Sequence, residues 1–494
     1  MNRLISFLRS RPVFFLLLPL FFVLHGFTEN FNAIPFVDAL WLLFMYVIAS
    51  LVIYLLAWLI YRDRLKAAFL SFCMMAFHFF FGGMQDLLKK WFDDSIITRY
   101  SFILPFFLVL FIVLIVILKK TKVQFLKATF YLNILFCLLI LIDTAELLSE
   151  TVLPKSQAYS KASKEIKCDS CTKPDIYFLV FDEYSSSTAL KELWNYDNSE
   201  LDSFLLQKKF KLLPYSKSNY NFTEFSIAST LNMEWLKIPD PKACIVKDYN
   251  VCFELIKNNR VVSILQSLGY KISNCSIFDI DKNPSPVKED FLPLKTKLIT
   301  SQTFLSRIRK DLFYHLLAGK FEIKWLTRDL IYRTKHNNEK IINATLNESV
   351  QYPDNPRFIY SHIEMPHPPF YYDKNGKEKD KNKLLEENKK LDVHSYLDYL
   401  PSTNKTIEQL VNNIIDHAKR PVVIVLMGDH GFRADQPQNY YFRNLNAVYL
   451  SSGNYAGFYE NISNVNEFGV LFNNLFQASF PLLKDSTVFL TDKN

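Results

Sequence analysis

The sequence predicts an α/β domain with a mainly parallel sheet flanked by helices, carried behind an N-terminal bundle of five transmembrane helices. Three observations predict it. Long apolar stretches fill the first 147 residues, two Val/Ile-rich runs later in the chain each end in acid, and helical stretches separate those runs. Strands that alternate with helices build a parallel sheet covered on both faces.

The apolar stretches run Pro12 to Phe27, Phe36 to Tyr61, Ala67 to Gly83, Tyr100 to Leu118 and Phe125 to Ile142. Most have about the 17 to 25 residues that cross a bilayer as a helix, the first and third lying at the short end. Lys and Arg near helix ends stay on the cytoplasmic side. Arg3, Arg9 and Arg11 precede the first span, Arg62, Arg64 and Lys66 follow the second, and Lys119, Lys120, Lys122 and Lys127 follow the fourth. Only Lys89, Lys90 and Arg99 argue the other way, with Asp86, Asp93 and Asp94 among them. The expected topology is a cytoplasmic N-terminus, a transmembrane domain over 1–147, a polar linker over 148–173 and an extracytoplasmic domain over 174–494. A cleavable signal peptide is disfavoured, because no A-x-A-like site follows the first span and four more spans come after it.

The formal charge of +8 is no nucleic-acid signal, since the basic residues outside the topology positions are dispersed. Five cysteines fall in the external part. Disulfides suit that compartment, with Cys168–Cys171 and Cys244–Cys252 the expected local pairs; CDSC as half a zinc site lacks a second CxxC.

Ile176 to Phe181 ends at Asp182-Glu183, and VVIVLMG over 422–428 ends at Asp429-His430. Ligands of open α/β sheets bind outside such strand ends. An acid and an imidazole side by side suit a divalent metal, with either Asp182 or Glu183 as a further ligand. Further strand and helix expectations are Phe358 to Ile363 as strand and Glu200 to Gln207, Arg260 to Leu268 and Asn404 to Ala418 as helix, with 373–392 a charged insertion, either a solvated loop or a short exposed helix.

The stretch SNYNFTEFSIASTLNM turns helical from Thr223, making Asn221 or Thr223 the N-cap. A hydroxyl at a helix N-terminus beside a divalent cation is placed to lose its proton and act as nucleophile. In FIYSHIEMPHPPFYY, His362 and His367 flank a strand end, and Pro366, Pro368 and Pro369 stiffen the loop around His367. An imidazole there can hydrogen-bond a transferring oxyanion or protonate a leaving group, although His362 fits equally a place within the strand. Arg433 reads as an exposed loop arginine or as a neutraliser of substrate charge.

An Asp at a first strand end, T-x-x-S some forty residues later, then H-x-P-F and a late G-D-H-G together resemble the alkaline phosphatase superfamily. Behind five spans, they are similar to its membrane-anchored sulfatase-like branch, which includes lipoteichoic acid synthases and phosphoethanolamine transferases. The resemblance implies one divalent ion, zinc or manganese, on Asp182, Thr223, Asp429 and His430, with Thr223 the catalytic nucleophile and His367 and His362 contacting substrate. It implies a monomer that moves a phosphoethanolamine- or phosphoglycerol-type group from a membrane phospholipid to an envelope glycan or lipid; a hydrolase or phosphodiesterase of the same fold, or a non-catalytic envelope protein, are the alternatives. No external cysteine opens a C/S-x-P-x-R motif, which disfavours arylsulfatase activity. Asp311 and His315 match a second-metal spacing, but no His follows His430, which favours a single-metal site.

Overall fold

The computed structural model describes residues 2–31, 34–92, 95–152, 166, 171–287, 296–309, 324–387, 392–434 and 436–492. The chain forms two compact units: Met1–Lys155 with Glu289–Glu322, and Ser156–Lys288 with Ile323–Asn494.

Among the described residues of the first unit four helices are long and apolar enough to cross a membrane: Phe36–Tyr61, Arg64–Phe92, Tyr100–Lys120 and Leu126–Ser149. Their outward faces are apolar; Phe106, Leu108 and Val109 are each more than half exposed. The fifth apolar helix, Phe14–Glu29, has 16 residues, about 24 Å at the α-helical rise, against a hydrocarbon core of about 30 Å. Of the five spans expected, four are helices of spanning length among the described residues, and the first is a shorter apolar helix. Some of the polar side chains buried here close gaps in the backbone hydrogen bonding. Asn133 accepts from the Phe14 N–H at 2.8 Å and donates to the Leu8 and Arg11 carbonyls at 2.7 Å, satisfying the open end of Phe14–Glu29. The 296–309 stretch also packs in this unit. Gly82 donates its N–H to the Gln302 carbonyl at 2.8 Å, and a Cβ at Gly82 would lie 2.6 Å from that oxygen.

The second unit is built on a six-stranded sheet of β1 (Asp175–Phe181), β2 (Lys211–Leu212), β3 (Lys271–Cys275), β4 (Arg357–Ile363), β5 (Val422–Gly428) and β6 (Asn446–Leu450), in the order β2-β6-β5-β1-β4-β3. β3, β4, β1 and β5 are parallel, while β6 runs antiparallel to β5 and β2 antiparallel to β6. The sheet is mainly parallel, as expected, with an antiparallel edge that only two residues of β2 complete. Every residue of β1, β4 and β5 is buried, as strands covered on both faces must be. One face packs Ile176, Phe178 and Val180 with Phe358, Tyr360, Val423 and Val425 against Phe225, Val261 and Phe468, which lie on helices Thr223–Asn232, Arg260–Ser267 and Asn464–Phe476. By alternation the other residues of these strands meet the opposite layer, where helix Val393–Asp416 buries Leu400, Ile407, Leu410 and Val411.

Register brings the site together. Phe181 pairs with both Ile363 and Gly428, so the residues after β1, β4 and β5 emerge at one edge.

Two expectations need correction. The 373–392 insertion is not wholly solvated: Leu384, in helix Lys381–Glu387, is fully buried, and Lys379 is buried against Glu387 at 2.9 Å. Cys244 and Cys252 are free, buried thiols. The Cys244 N–H is held by the Thr491 carbonyl at 2.8 Å, while Cys252 sits within helix Val246–Lys257 with its thiol pushed up by burial and by Glu224. Cys171 is disulfide-bonded; Cys168, Asp311 and His315 lie outside the described residues.

Candidate active site

Asp182 follows β1 and Asp429-His430 follows β5, and the structure brings one ligand atom of each within 4.8 Å of the others, all three side chains buried. The turn that delivers Asp429 and His430 has no room for side chains at its glycines. A Cβ at Gly428 would lie 2.5 Å from the Tyr184 carbonyl oxygen, and one at Gly431 2.5 Å from that of Tyr440.

Asp429 is fixed from one side only. Its Oδ1 accepts from the Glu183 N–H at 3.0 Å and its own neighbour's N–H, that of His430, at 2.9 Å, and its Oδ2 has no hydrogen-bond partner among the described residues. Asp182 Oδ1 is likewise buried without a partner. His430 Nδ1 meets the Gly431 carbonyl at 2.9 Å. A proton on Nδ1 leaves Nε2 as the lone-pair nitrogen, the arrangement second-shell carbonyls impose on metal-ligating histidines. Nε2 lies 3.3 Å from Asp429 Oδ2 and 3.3 Å from Thr223 Oγ1.

The carboxylates perturb one another. Burial, then the negative Asp429 and Glu183, push Asp182 well above the carboxylate range. Burial also works against Asp429, but the neighbouring His430 and the Glu183 N–H bring it below its ordinary value. Burial lowers His430, and it lowers His362 to about 4. Buried carboxylate oxygens without partners, set around an unprotonated imidazole nitrogen, fit a divalent cation.

Thr223 is the first residue of helix Thr223–Asn232, with Phe222 at the N-cap and no side-chain cap bond. This corrects the expected cap. Asn221 is engaged by the Leu490 backbone, donating to its carbonyl at 3.1 Å and accepting from its N–H at 2.7 Å. The Thr223 hydroxyl is not used in capping and meets His430 instead. Ser226, one turn on, donates to the Asp429 carbonyl at 2.6 Å and ties this helix to the strand end.

His362 is fully buried in β4, its Nδ1 3.0 Å from the Tyr360 hydroxyl and its Nε2 without a partner. His367 is half-buried in a loop with cis bonds before Pro366 and Pro369, its Nδ1 2.7 Å from the Pro368 carbonyl. The charge of His367 reaches Glu183 and lowers it.

Sequence reasoning missed the pair behind these residues. Glu183 is buried, sits at φ 60°, and accepts from Arg433 Nε at 2.7 Å. That left-handed backbone costs a β-carbon residue on the order of 1 kcal/mol, and Tyr396 holds it by donating its hydroxyl to the Glu183 carbonyl at 3.0 Å. Arg433 is thus no free loop arginine, its side chain being 26% exposed. An acid directly after Asp182 and a cation three residues after His430 were the available signal, but 250 residues separate them.

Residues 262–468 match the Sulfatase family model; this stretch holds His362, His367, Asp429 and His430. No curated protein matches the chain significantly. Among solved structures, the soluble domain of lipooligosaccharide phosphoethanolamine transferase A from Neisseria meningitidis is similar at 12% identity and TM-score 0.40, covering 66% of this chain and 92% of that one. The integral membrane protein of the same name and organism covers 97% of both chains at 11% identity and TM-score 0.38. The C-terminal periplasmic domain of EcEptC from Escherichia coli covers 66% and 88% at 11% identity and TM-score 0.39. Over residues 262–468 the chain is thus similar to the sulfatases, a similarity that supports an enzyme acting on phosphate or sulfate esters.

Proposed function

We propose that this protein transfers a phosphorylated head group, of phosphoethanolamine or phosphoglycerol type, from a membrane phospholipid to an envelope glycan or lipid through a covalent bond to Thr223. The observation that carries this reading is the Thr223 hydroxyl, 3.3 Å from His430 Nε2 beside carboxylates with unpartnered oxygens. Four helices of spanning length on the same chain support a donor drawn from the bilayer.

Asp182, Asp429, His430 and Thr223 would hold one divalent ion, zinc or manganese by the chemistry of an imidazole nitrogen with carboxylate oxygens. When bound, such an ion polarises phosphoryl oxygens and lowers the pKa of a ligated hydroxyl. Asp429, whose Oδ2 lies 3.3 Å from the same His430 Nε2 that Thr223 Oγ1 meets, takes the hydroxyl proton as Oγ1 bonds to phosphorus. The bond that breaks joins phosphorus to the diacylglycerol oxygen, and His367 gives that oxygen its proton. An acceptor hydroxyl then attacks the same phosphorus and passes its proton to His367; the Oγ1–P bond breaks, and Thr223 recovers its proton from Asp429. His362, buried and lowered to about 4, stays neutral and supports the site from within β4.

The test uses the full chain in detergent with fluorescent phosphatidylethanolamine and phosphatidylglycerol. Diacylglycerol release and a head-group phosphate on the Thr223 peptide, both lost in Thr223→Ala, are expected. Release that survives Thr223→Ala would sink the covalent route; a head group recovered free rather than on an acceptor would make the enzyme a hydrolase.

A further inference from the structure

The guanidinium of Arg433 is fixed on two of its three nitrogens. Nε donates to Glu183 Oε1 at 2.7 Å, Nη1 donates to the Asn221 carbonyl at 3.2 Å, and the plane lies over the Phe222 ring at 5.4 Å. Asn221 and Phe222 are the residues immediately before Thr223, so the guanidinium is held at the start of the nucleophile's helix. Its charge also reaches Asp182, Asp429 and His430. Nη2 has no hydrogen-bond partner among the described residues, nor does Glu183 Oε2. A planar cation locked in this way presents one free N–H edge beside the nucleophile, the geometry with which arginine takes an anionic oxygen.

Charge decides which anion fits. Three buried carboxylates, Asp182, Glu183 and Asp429, face one guanidinium and, on the reading proposed above, one divalent ion. The fixed charges then sum to about zero, and Glu183 already shares the cation. Counting the proton that His367 holds on that reading, one negative charge on the ligand is balanced, while a second would face these carboxylates uncompensated, and like charges at close range in a buried site repel by several kcal/mol.

We infer that Arg433 binds a non-bridging oxygen of the substrate phosphoryl group, and that Glu183, by sharing the guanidinium, sets the site's preference for singly charged phosphodiesters over doubly charged phosphomonoesters. Arg433 is in this account a substrate-binding residue and Glu183 a positioning residue. The inference rests on the head-group transfer reading but is tested by binding, which does not require turnover.

The experiment is calorimetric titration of the zinc-loaded full chain in detergent with diethyl phosphate, a monoanion, and inorganic phosphate, mostly a dianion at pH 8.5. The wild type is expected to favour diethyl phosphate. Losing one charge-assisted hydrogen bond in Arg433→Ala should weaken diethyl phosphate about 10- to 100-fold, with zinc content unchanged and Arg433→Lys recovering part of the loss. Glu183→Gln should shift the ratio toward inorganic phosphate by about tenfold. Arg433→Lys and Glu183→Gln keep the inference testable if Arg433→Ala does not fold. Equal wild-type affinity for both anions, no binding of either, an unchanged ratio in Glu183→Gln, or loss of zinc in step with anion affinity would overturn it. Failure of the transfer reading appears separately, as diacylglycerol release that ignores Thr223→Ala.

Discussion

The two edges of one sheet bury charge in opposite ways. Where β1 and β4 begin, Asp175 accepts from the Arg357 backbone N–H at 2.9 Å, from Nε at 3.1 Å and from Nη2 at 2.7 Å, and both residues are buried. Neither Asp175 oxygen is left open. Where β1 and β5 end, Asp182 Oδ1, Glu183 Oε2 and Asp429 Oδ2 are buried with no hydrogen-bond partner among the described residues. Buried charge that only holds a fold is closed by protein partners, because an unpaired charge in the interior costs several kcal/mol. Charge left open must be completed by something the chain does not supply. The difference between the edges distinguishes a structural pair from a site.

The comparison can be broken most directly at the open edge. Asp429→Asn should reduce turnover at least 10³-fold, on the order of 4 kcal/mol of transition-state stabilisation. In Asp182→Asn the metal-free protein's midpoint in a thermal scan should stay level or rise, since burial and the neighbouring carboxylates work against that charge. At the closed edge the signs reverse: Asp175→Ala should destabilise by about 3–5 kcal/mol by stranding Arg357, read as a lower denaturant midpoint, while kcat per folded molecule hardly changes.

Glu467 offers a sharper case. It is fully buried, accepts from Asn446 Nδ2 at 2.9 Å through Oε2, leaves Oε1 unpartnered, and is pushed up to about 7 by burial. A carboxyl raised on folding binds more protons in the native state, so its contribution is full below about pH 4.5 and is lost as pH climbs through about 7. A shift of that size is worth about 3 kcal/mol. Denaturant midpoints at pH 5 and pH 8 should differ accordingly, and Glu467→Gln should flatten the difference. The smallest effect expected is that of Ser226→Ala, which removes the 2.6 Å bond to the Asp429 carbonyl. About 1 kcal/mol of stability is at stake, with a modest rise in metal dissociation constant.

What the sequence disclosed follows the same physics. Ile176 to Phe181 and Val422 to Met427 could be read as strands because burial on both faces demands an unbroken apolar run, and the Asp after each marks a strand end. Thr223 could be found because a change of period announces its helix. Features made by pairing across long separations were hidden: Glu183 with Arg433, the two-residue β2, and the stretch after 289 that groups with the membrane helices. The helix expected from Asn404 begins at Val393 and carries Pro401 inside it. Tyr396, Tyr399 and Leu400 bury its first turns, and that tertiary packing outweighs a proline that reads locally as a break. Cys244 and Cys252 were paired by compartment and spacing alone, and neither discloses that both thiols are free.

The measurement that bears most directly on the open edge is metal content of the full chain purified in detergent, stripped with chelator and titrated with zinc or manganese. The account predicts one ion per chain, a rise in melting temperature on binding, and loss of both in Asp429→Asn but not in Asp175→Asn. An unstripped or reloaded protein that holds no ion, or one whose ion survives Asp429→Asn, would contradict it.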